Sequence, residues 1–326
     1  MRLFRHWTDL PADARGAAVA LGNFDGVHRG HRAVIAAART AAPGAPAGVL
    51  SFEPHPREVF RPDDPPFRLT PFRAKARLLE EIGLDLLFVL HFDRSLAEHS
   101  AEDFVEEILV RGLGVAHVAV GKDFCFGRGR SGDAGLLSRL GAHHGFGVSV
   151  VPHAMDPDGR PFSSTRVRNA LRAGRPGEAA EVLGRHWEIE GRVETGFQRG
   201  RTIGFPTANI GLDGHLRPAF GVYAVQAGID QGLGTVWRDG VANIGLRPTV
   251  GGTTELLEVH LFDMAEDLYG RHMRVRLVDF LRPERKFDGL DALKAQIAQD
   301  AARARAILSR PGGAGTAPGG GEGAGA

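Results

Sequence analysis

Along the first 150 residues, short apolar runs alternate with stretches in which apolar positions recur every three or four residues. The runs at 17–21, 48–52, 85–92, 117–121 and 146–152 have the length and content of buried strands. Between them, Ser100-Ala101-Glu102-Asp103 has the composition of a capped helix start, followed by Phe104, Val105, Ile108 and Leu109 on one helical face. Strands separated by helices predict βαβ units, and so a parallel sheet with helices on both faces. Past Gly184 the texture changes to short β-rich runs at 187–193, 221–227, 234–244, 258–262 and 273–280, punctuated by Gly, Pro and Asn. Strands without helices between them predict an antiparallel sheet or small barrel. Leu290, Leu293, Ile297, Ala301, Ala304 and Leu308 then mark an amphipathic helix against that barrel, with Asp288 as its expected N-cap.

The pattern therefore divides the chain into an α/β domain at 1–184 and a β-barrel domain at 185–310. The remaining stretch, 311–326, has eight glycines in sixteen residues and no strongly apolar side chain. It cannot bury enough surface to offset its ordering entropy, and it is expected to be a disordered tail.

Composition narrows the function classes. The hydrophobic fraction of 43% is enough for two cores, and 40 Lys+Arg against 39 Asp+Glu leave a formal charge of +1. No global field favours a nucleic acid or an anionic membrane, so neither is expected as a partner. No run approaches the about 18 apolar residues of a membrane span. Cys125 is the only cysteine, which excludes an internal disulfide and any cysteine-cluster metal site. The chain is expected in a reducing compartment, the cytoplasm.

Leu21-Gly22-Asn23-Phe24-Asp25-Gly26-Val27-His28-Arg29-Gly30-His31 leaves the first strand and enters the first helix. Ligands of open α/β sheets bind beyond the carboxyl ends of the strands, where helix N-termini attract phosphate. His28 and His31, three residues apart, share a helical face and can donate to phosphate oxygens, while Gly30 leaves room for a bulky ligand. A single histidine here could simply pack or cap, and a metal pair lacks an evident third ligand. Later, Ser163-Ser164-Thr165-Arg166-Val167-Arg168 offers hydroxyls that can cap a helix or bind phosphate, and a fixed charge at Arg168 suited to pyrophosphate.

The HxGH string and this later string resemble the two signatures of the nucleotidyltransferase superfamily, in which the histidines stabilise charge building on an α-phosphate. Four longer strings narrow the likeness: Gly22-Asn23-Phe24-Asp25-Gly26, Phe52-Glu53-Pro54-His55-Pro56, Arg68-Leu69-Thr70 and Gly121-Lys122-Asp123-Phe124-Cys125-Phe126-Gly127. Together they resemble the FMN-adenylylating module of bacterial bifunctional riboflavin kinase/FAD synthetases. The resemblance implies ATP contacts at Gly22, Asn23, Phe24, Asp25, Ser164 and Thr165, and a flavin pocket at Pro54, Pro56, Asp123 and Phe126. Many members carry Asn where this chain has Asp123. The Gly127-Arg128-Gly129-Arg130-Ser131-Gly132 stretch is expected to be a mobile loop near the nucleotide, since its distance from the preceding strand does not fit a dinucleotide fingerprint. A phosphate-binding P-loop is absent by motif.

In the second domain, a glycine- and arginine-rich stretch from Gly196 to Gly204 leads into Phe205-Pro206-Thr207-Ala208-Asn209. Thr207 and Asn209 are two apart, so on a strand they face one way; they either close a turn beside Pro206 or offer oxygens to a hard Mg²⁺ ion. The strings Pro218-Ala219-Phe220-Gly221-Val222-Tyr223, Asn243-Ile244-Gly245-Leu246-Arg247-Pro248-Thr249, Glu258-Val259-His260-Leu261-Phe262-Asp263 and Phe280-Leu281-Arg282-Pro283-Glu284-Arg285-Lys286-Phe287 resemble the flavokinase domain. That resemblance implies ATP contacts at Gly200, Gly204, Phe205 and Pro206, Mg²⁺–ATP on Thr207 and Asn209, and Glu258 as the base for the flavin's terminal ribityl hydroxyl. Independently, Glu258 interrupts an apolar strand, where a carboxylate is costly without a partner or a task.

The expectation is a two-domain enzyme that phosphorylates riboflavin to FMN and adenylylates FMN to FAD, with ATP as co-substrate and Mg²⁺ as metal. A nucleotidyltransferase with another acceptor and a non-catalytic flavin sensor are the alternatives. The flavokinase strings speak against the first; the combination of a base and an α-phosphate clamp speaks against the second.

Overall fold

The computed structural model describes residues 1–194, 205–230, 234–249, 252–264 and 266–310. Gly200 and Gly204, with the rest of the arginine-rich stretch between them, lie outside the described residues, as does the 311–326 tail. The chain divides into two compact units, Met1–Ser164 and Thr165–Ala326.

The first unit runs β1 (Arg2–Phe4), β2 (Ala18–Leu21), α1 (Arg29–Ala41), β3 (Ala47–Glu53), α2 (Pro56–Phe60), α3 (Phe72–Glu81), β4 (Leu86–His91), α4 (Arg94–Ala97) and α5 (Ala101–Asp103). It continues through β5 (His117–Gly121), a short hairpin of β6 (Cys125–Phe126) and β7 (Gly132–Asp133), α6 (Ala134–His144) and β8 (Gly147–Val151). Six strands form one sheet in the order β1-β4-β3-β2-β5-β8, and every pairing is parallel. The alternation of strands and helices in the sequence produces this sheet, and its continuous apolar runs fit strands buried on both faces. Alternate residues feed two cores: Val19, Leu50, Phe88 and Val118 pack on one face, and Ala20, Val49, Leu87 and Ala119 on the other.

Ser100 caps α5 as its composition predicts, its Oγ accepting from the Asp103 N–H at 3.0 Å. The chain then continues over Phe104–Leu113 with π-helical rather than α-helical bonding, a local choice that a 3.6-residue pattern does not reveal. The stretch at 127–132 also differs from expectation. It is the turn of the β6–β7 hairpin, with Phe126 opposite Gly132. A Cβ on Gly127 would lie 2.7 Å from the Ala101 nitrogen, and one on Gly132 would lie 2.7 Å from the Phe126 ring. These glycines serve close packing rather than looseness.

The second unit contains α7 (Ser164–Arg172, whose first residue belongs to the first unit), α8 (Pro176–Leu183), β9 (Trp187–Arg192), β10 (Ala208–Gly211), β11 (Gly221–Asp230), β12 (Thr235–Thr249), β13 (Gly252–Leu261), β14 (His272–Pro283) and α9 (Leu290–Leu308). The six strands pair antiparallel in the order β10-β13-β12-β11-β14-β9. An antiparallel bridge between Glu194 and Asn209 joins the two ends of that order and closes the sheet on itself, which removes the exposed edges. α7 and α8 go with the barrel: the Ala219 N–H donates to the Leu171 carbonyl at 3.0 Å, and α8 packs on β9 and β14.

α9 lies on β11, β12 and β14 and buries Ala304 and Leu308. Its N-cap is Gly289 at φ +103, not Asp288, because the chain enters the helix through a left-handed conformation that glycine accommodates. No helix among the described residues is long and apolar enough to cross a membrane.

Candidate active sites

In the first unit, the carboxyl ends of β2 and β5 mark the place where strand order reverses, the position at which open α/β sheets bind ligands. The turn leaving β2 is tightly wound. Phe24, Gly26 and Val27 have φ of 51°, 92° and 44°. A β-branched residue in the left-handed region is an outlier that persists only where the surroundings hold it. Here the restraint is Asp25, which is buried and accepts from the Leu69 N–H at 2.9 Å and the Thr70 N–H at 3.0 Å. The Gly26 N–H donates to Thr70 Oγ1 at 2.9 Å, and Ser164 Oγ donates to the Asp25 carbonyl at 2.8 Å. Asp25, Ser164 and the Arg68-Leu69-Thr70 string thus shape one turn.

His28 is the N-cap of α1. Its Nδ1 accepts from the His31 N–H at 3.2 Å, which places the proton of the neutral ring on Nε2. The two imidazoles stack with centroids 3.5 Å apart, and Phe24 meets His31 edge-on at 5.2 Å. A Cβ on Gly30 would come within 3.0 Å of the Phe162 carbonyl and 3.1 Å of the His28 ring, so any side chain between the histidines would crowd both. Two ring donors and a helix N-terminus form a site suited to an anion.

Pro54 and Pro56 follow β3, with Pro56 as the first residue of α2. Asp123 is exposed beyond β5, and its Oδ2 lies 2.8 Å from His153 Nε2. Phe126 is buried in the core between Phe104 and Phe124, leaving Phe124 the more open of the pair. Thr165 is exposed and Arg168 half-buried on α7, in the second unit.

Beneath the β2–α1 turn lies a charge cluster that composition did not foretell. Lys75 on α3 is 1% exposed, and its Nζ sits 2.8 Å from Glu53 Oε1, 3.1 Å from Ser51 Oγ and 3.4 Å from the Asn23 carbonyl. Arg68 pairs with both Glu53 and Glu58. Burial pushes the Lys75 ammonium below its ordinary range, with Glu53 opposing the shift. Burial would raise the Glu53 carboxyl, but Lys75 and Arg68 outweigh it and hold it low. Each charge of the cluster thus lies against one of opposite sign.

In the second unit, strand register builds the site. Asn209 on β10 stands opposite Glu258 on β13; Glu258 stands opposite Asn243 on β12; Asn243 opposes Val222 on β11, which opposes Arg282 on β14. Directly opposed residues share a face, so this row runs across five strands, and all five residues line one cavity of about 470 Å³. Glu258 Oε1 lies 3.3 Å from Arg247 Nη1, and Asn243 Nδ2 donates to Glu284 Oε1 at 3.0 Å. Phe287, Leu293 and Ile297 supply an apolar wall. Asp300 on α9 is buried and accepts from Arg282 Nε at 3.1 Å (Oδ1) and 3.0 Å (Oδ2) and from Arg282 Nη2 at 2.8 Å (Oδ2).

A second cavity of about 510 Å³, bounded by Pro206, Val259, Leu261 and Leu268, meets the first at Thr207 and Tyr269. Phe205 lines the first cavity against His260, whose Nδ1 lies 2.9 Å from the Pro206 carbonyl. Asn209 Oδ1 is buried and, among the described residues, has no hydrogen-bond partner. An orphaned acceptor beside a hydroxyl suits a hard cation, so Thr207 and Asn209 fit the metal expected from the sequence. Asn243, Arg282 and Asp300 were not singled out from sequence. The first two lie inside the flavokinase-like strings, but only cross-strand register shows that they face Glu258's cavity.

Comparison with known proteins agrees with this layout. A family model described as FAD synthetase matches residues 10–166, and one described as riboflavin kinase matches residues 183–308. A bifunctional riboflavin kinase/FMN adenylyltransferase of Escherichia coli (strain K12) is 46% identical over 316 residues, covering 95% of this chain and 100% of its own. One from Pseudomonas fluorescens is 46% identical over 312 residues, covering 95% and 98%. Among solved structures, a macrolide-efflux protein from Streptococcus pneumoniae matches with a TM-score of 0.81 and 30% identity, covering 93% of this chain and 98% of its own.

Proposed function

The chain belongs to the family of bifunctional riboflavin kinase/FMN adenylyltransferases, and we propose that its two activities run at two separate sites, one in each half. It phosphorylates riboflavin with ATP and adenylylates the resulting FMN to FAD. The catalytic halves are proposed to be 1–184 and 185–310; the family matches at 10–166 and 183–308 leave 167–182 to neither, and the compact units divide between Ser164 and Thr165.

In the barrel, Glu258 is the base. It accepts the proton of the terminal ribityl hydroxyl as that oxygen attacks the γ-phosphorus of ATP and ADP leaves. The observation that carries this reading is the row Asn209, Glu258, Asn243, which places a carboxylate between two amides on the cavity face. The apolar wall of Phe287, Leu293 and Ile297 suits the flavin ring, and the adjoining cavity beyond Thr207 suits the nucleotide. Thr207 and Asn209 would hold Mg²⁺, which when bound neutralises phosphate charge. Phe205 and Pro206, pinned by His260, shape the entry to that junction.

In the first unit, an FMN phosphate oxygen attacks the α-phosphorus of ATP and pyrophosphate leaves, with no covalent enzyme intermediate. His28 and His31 donate to the α-phosphate as charge grows on it, and the wound turn at Gly22, Asn23, Phe24 and Asp25 holds the nucleotide. Pro54, Pro56, Asp123 and Phe126 are assigned to the flavin side, Phe126 acting from the core as a support for Phe124; Thr165 and Arg168, which belong to the second unit, are assigned to the phosphates on the family resemblance alone. The cytoplasm is the proposed location, supported by the single cysteine.

The test is a pair of substitutions. His28→Ala is expected to abolish FAD formation from FMN while sparing FMN formation from riboflavin, and Glu258→Gln to do the reverse. Loss of both activities from either substitution in a folded protein would refute the separation of sites.

A further inference from the structure

The two substrate loops of the adenylyltransferase half are tied to a single buried ammonium group. Lys75 Nζ reaches Glu53, which immediately precedes Pro54 of the flavin-side loop, and it also reaches the carbonyl of Asn23 in the nucleotide turn. Its third partner, Ser51 Oγ, lies two residues before Glu53 on β3 and itself donates to the Asn23 carbonyl at 3.3 Å. Three acceptors meet the three protons of one ammonium, and with 1% exposure no water competes for them. The contact to Asn23 is the longest of the three, so this end of the link has room to tighten. Asn23 also carries a side-chain oxygen that is buried and, among the described residues, lacks a hydrogen-bond partner. Lys75 thus grips the backbone of a residue whose side chain is held ready for a donor on a ligand.

From this arrangement we infer that Lys75 is a positioning residue that couples ATP and FMN binding. The inference rests on the proposed assignment of the 22–28 turn to ATP and of the Pro54–Pro56 loop to the flavin. FMN seated against the flavin-side loop fixes Glu53 and Ser51, which fixes the direction of the Lys75 ammonium. The ammonium then holds the Asn23 carbonyl in place, so that ATP binds a turn already ordered. By thermodynamic reciprocity, ATP prepares the flavin loop to the same degree. Arg68 joins Glu53 to Glu58 on the flavin side, and its neighbours Leu69 and Thr70 donate to Asp25 of the nucleotide turn, a backbone route that runs beside the direct contact made by Lys75.

The test uses the full chain and initial rates of FAD formation over a grid of ATP and FMN concentrations, with circular dichroism and denaturant unfolding of the first unit as the measure of intact folding. In the unmodified protein, saturating FMN is expected to lower the KM for ATP by about fivefold or more, the lower end of usual coupling between sites. Lys75→Met should bring that ratio close to one, and Lys75→Arg, which keeps the charge, should restore part of it. A merely structural role would reduce kcat or stability and leave the ratio alone. Should Lys75→Met fail to fold, Glu53→Gln cuts the flavin end of the link and is expected to lose the coupling in the same way. A ratio near one in the unmodified protein, or an unchanged ratio in the folded variants, would overturn the inference. FAD formation that survives His28→Ala would instead refute the site assignment beneath it.

Discussion

Asn209 and Glu258 face each other across β10 and β13, one offering a buried oxygen that has no partner among the described residues and the other a carboxylate paired with Arg247. On the proposed assignment, metal holding and proton removal would fall on adjacent strands of the sheet. Asn209→Ala is expected to raise the divalent-metal concentration for half-maximal riboflavin phosphorylation by about 10- to 100-fold. FAD formation from FMN should be unchanged, and metal titrations of the two partial reactions check both statements.

Replacing Glu258 by Gln keeps the shape of the row but removes the proposed base. Riboflavin phosphorylation is expected to fall by about 10²–10⁴-fold, the usual worth of general-base help. Single-turnover rates with riboflavin measure it, and riboflavin affinity should change little.

Gly30 lies where a Cβ would press on the Phe162 carbonyl and the His28 ring. Gly30→Ala therefore requires the imidazole or the Phe162 carbonyl to give by a few tenths of an ångström. Misplacement of a catalytic group by an ångström can cost about 10²-fold, so FAD formation should drop by up to that factor while riboflavin phosphorylation persists.

Asp300 is the buried partner of Arg282, with side-chain exposures of 8% and 17%. Asp300→Ala leaves the guanidinium uncompensated and is expected to cost about 3 kcal/mol of stability in the barrel. Because Arg282, Leu293 and Ile297 line the flavin cavity, the KM for riboflavin should rise more than the KM for ATP. Denaturant unfolding and steady-state kinetics report the two effects.

Burial lowers the pKa of His117, whose Nε2 meets Ser149 Oγ at 2.9 Å, and burial, with Arg276 nearby, lowers that of His186. A histidine with a depressed folded pKa binds fewer protons when folded than when unfolded, so stability falls as pH drops through the ordinary histidine range and is unaffected above it. The unfolding midpoint should decline between pH 8 and pH 5.5, and His117→Gln should remove part of that decline.

The β-α alternation, the glycine-bounded turn and the histidine pair were legible in the sequence because each depends on local spacing: strand length, helix entry and a three-residue offset. Thr207 and Asn209 were legible for the same reason, being two apart at a strand entry. Lys75 was not, because a lysine within an amphipathic helix reads as solvated face until α3 is seen packed over Glu53. Asn243, Arg282 and Asp300 depend on the register of β12, β13 and β14 and on the docking of α9, which no single segment encodes. The glycines at 127 and 132 misled because sequence does not distinguish a glycine that permits motion from one that permits contact. The helix at 104–113 kept its apolar face, but a 3.6-residue spacing does not reveal its π bonding.

The central claim is that two independent sites share one chain, and a mixing experiment tests it most directly. His28→Ala and Glu258→Gln are each incubated with riboflavin, ATP and Mg²⁺, alone and together, and riboflavin, FMN and FAD are separated by chromatography. The account predicts FMN but no FAD from the first, no product from the second, and FAD from the mixture. Failure of the mixture to form FAD, or loss of both partial reactions from either folded variant, would contradict it.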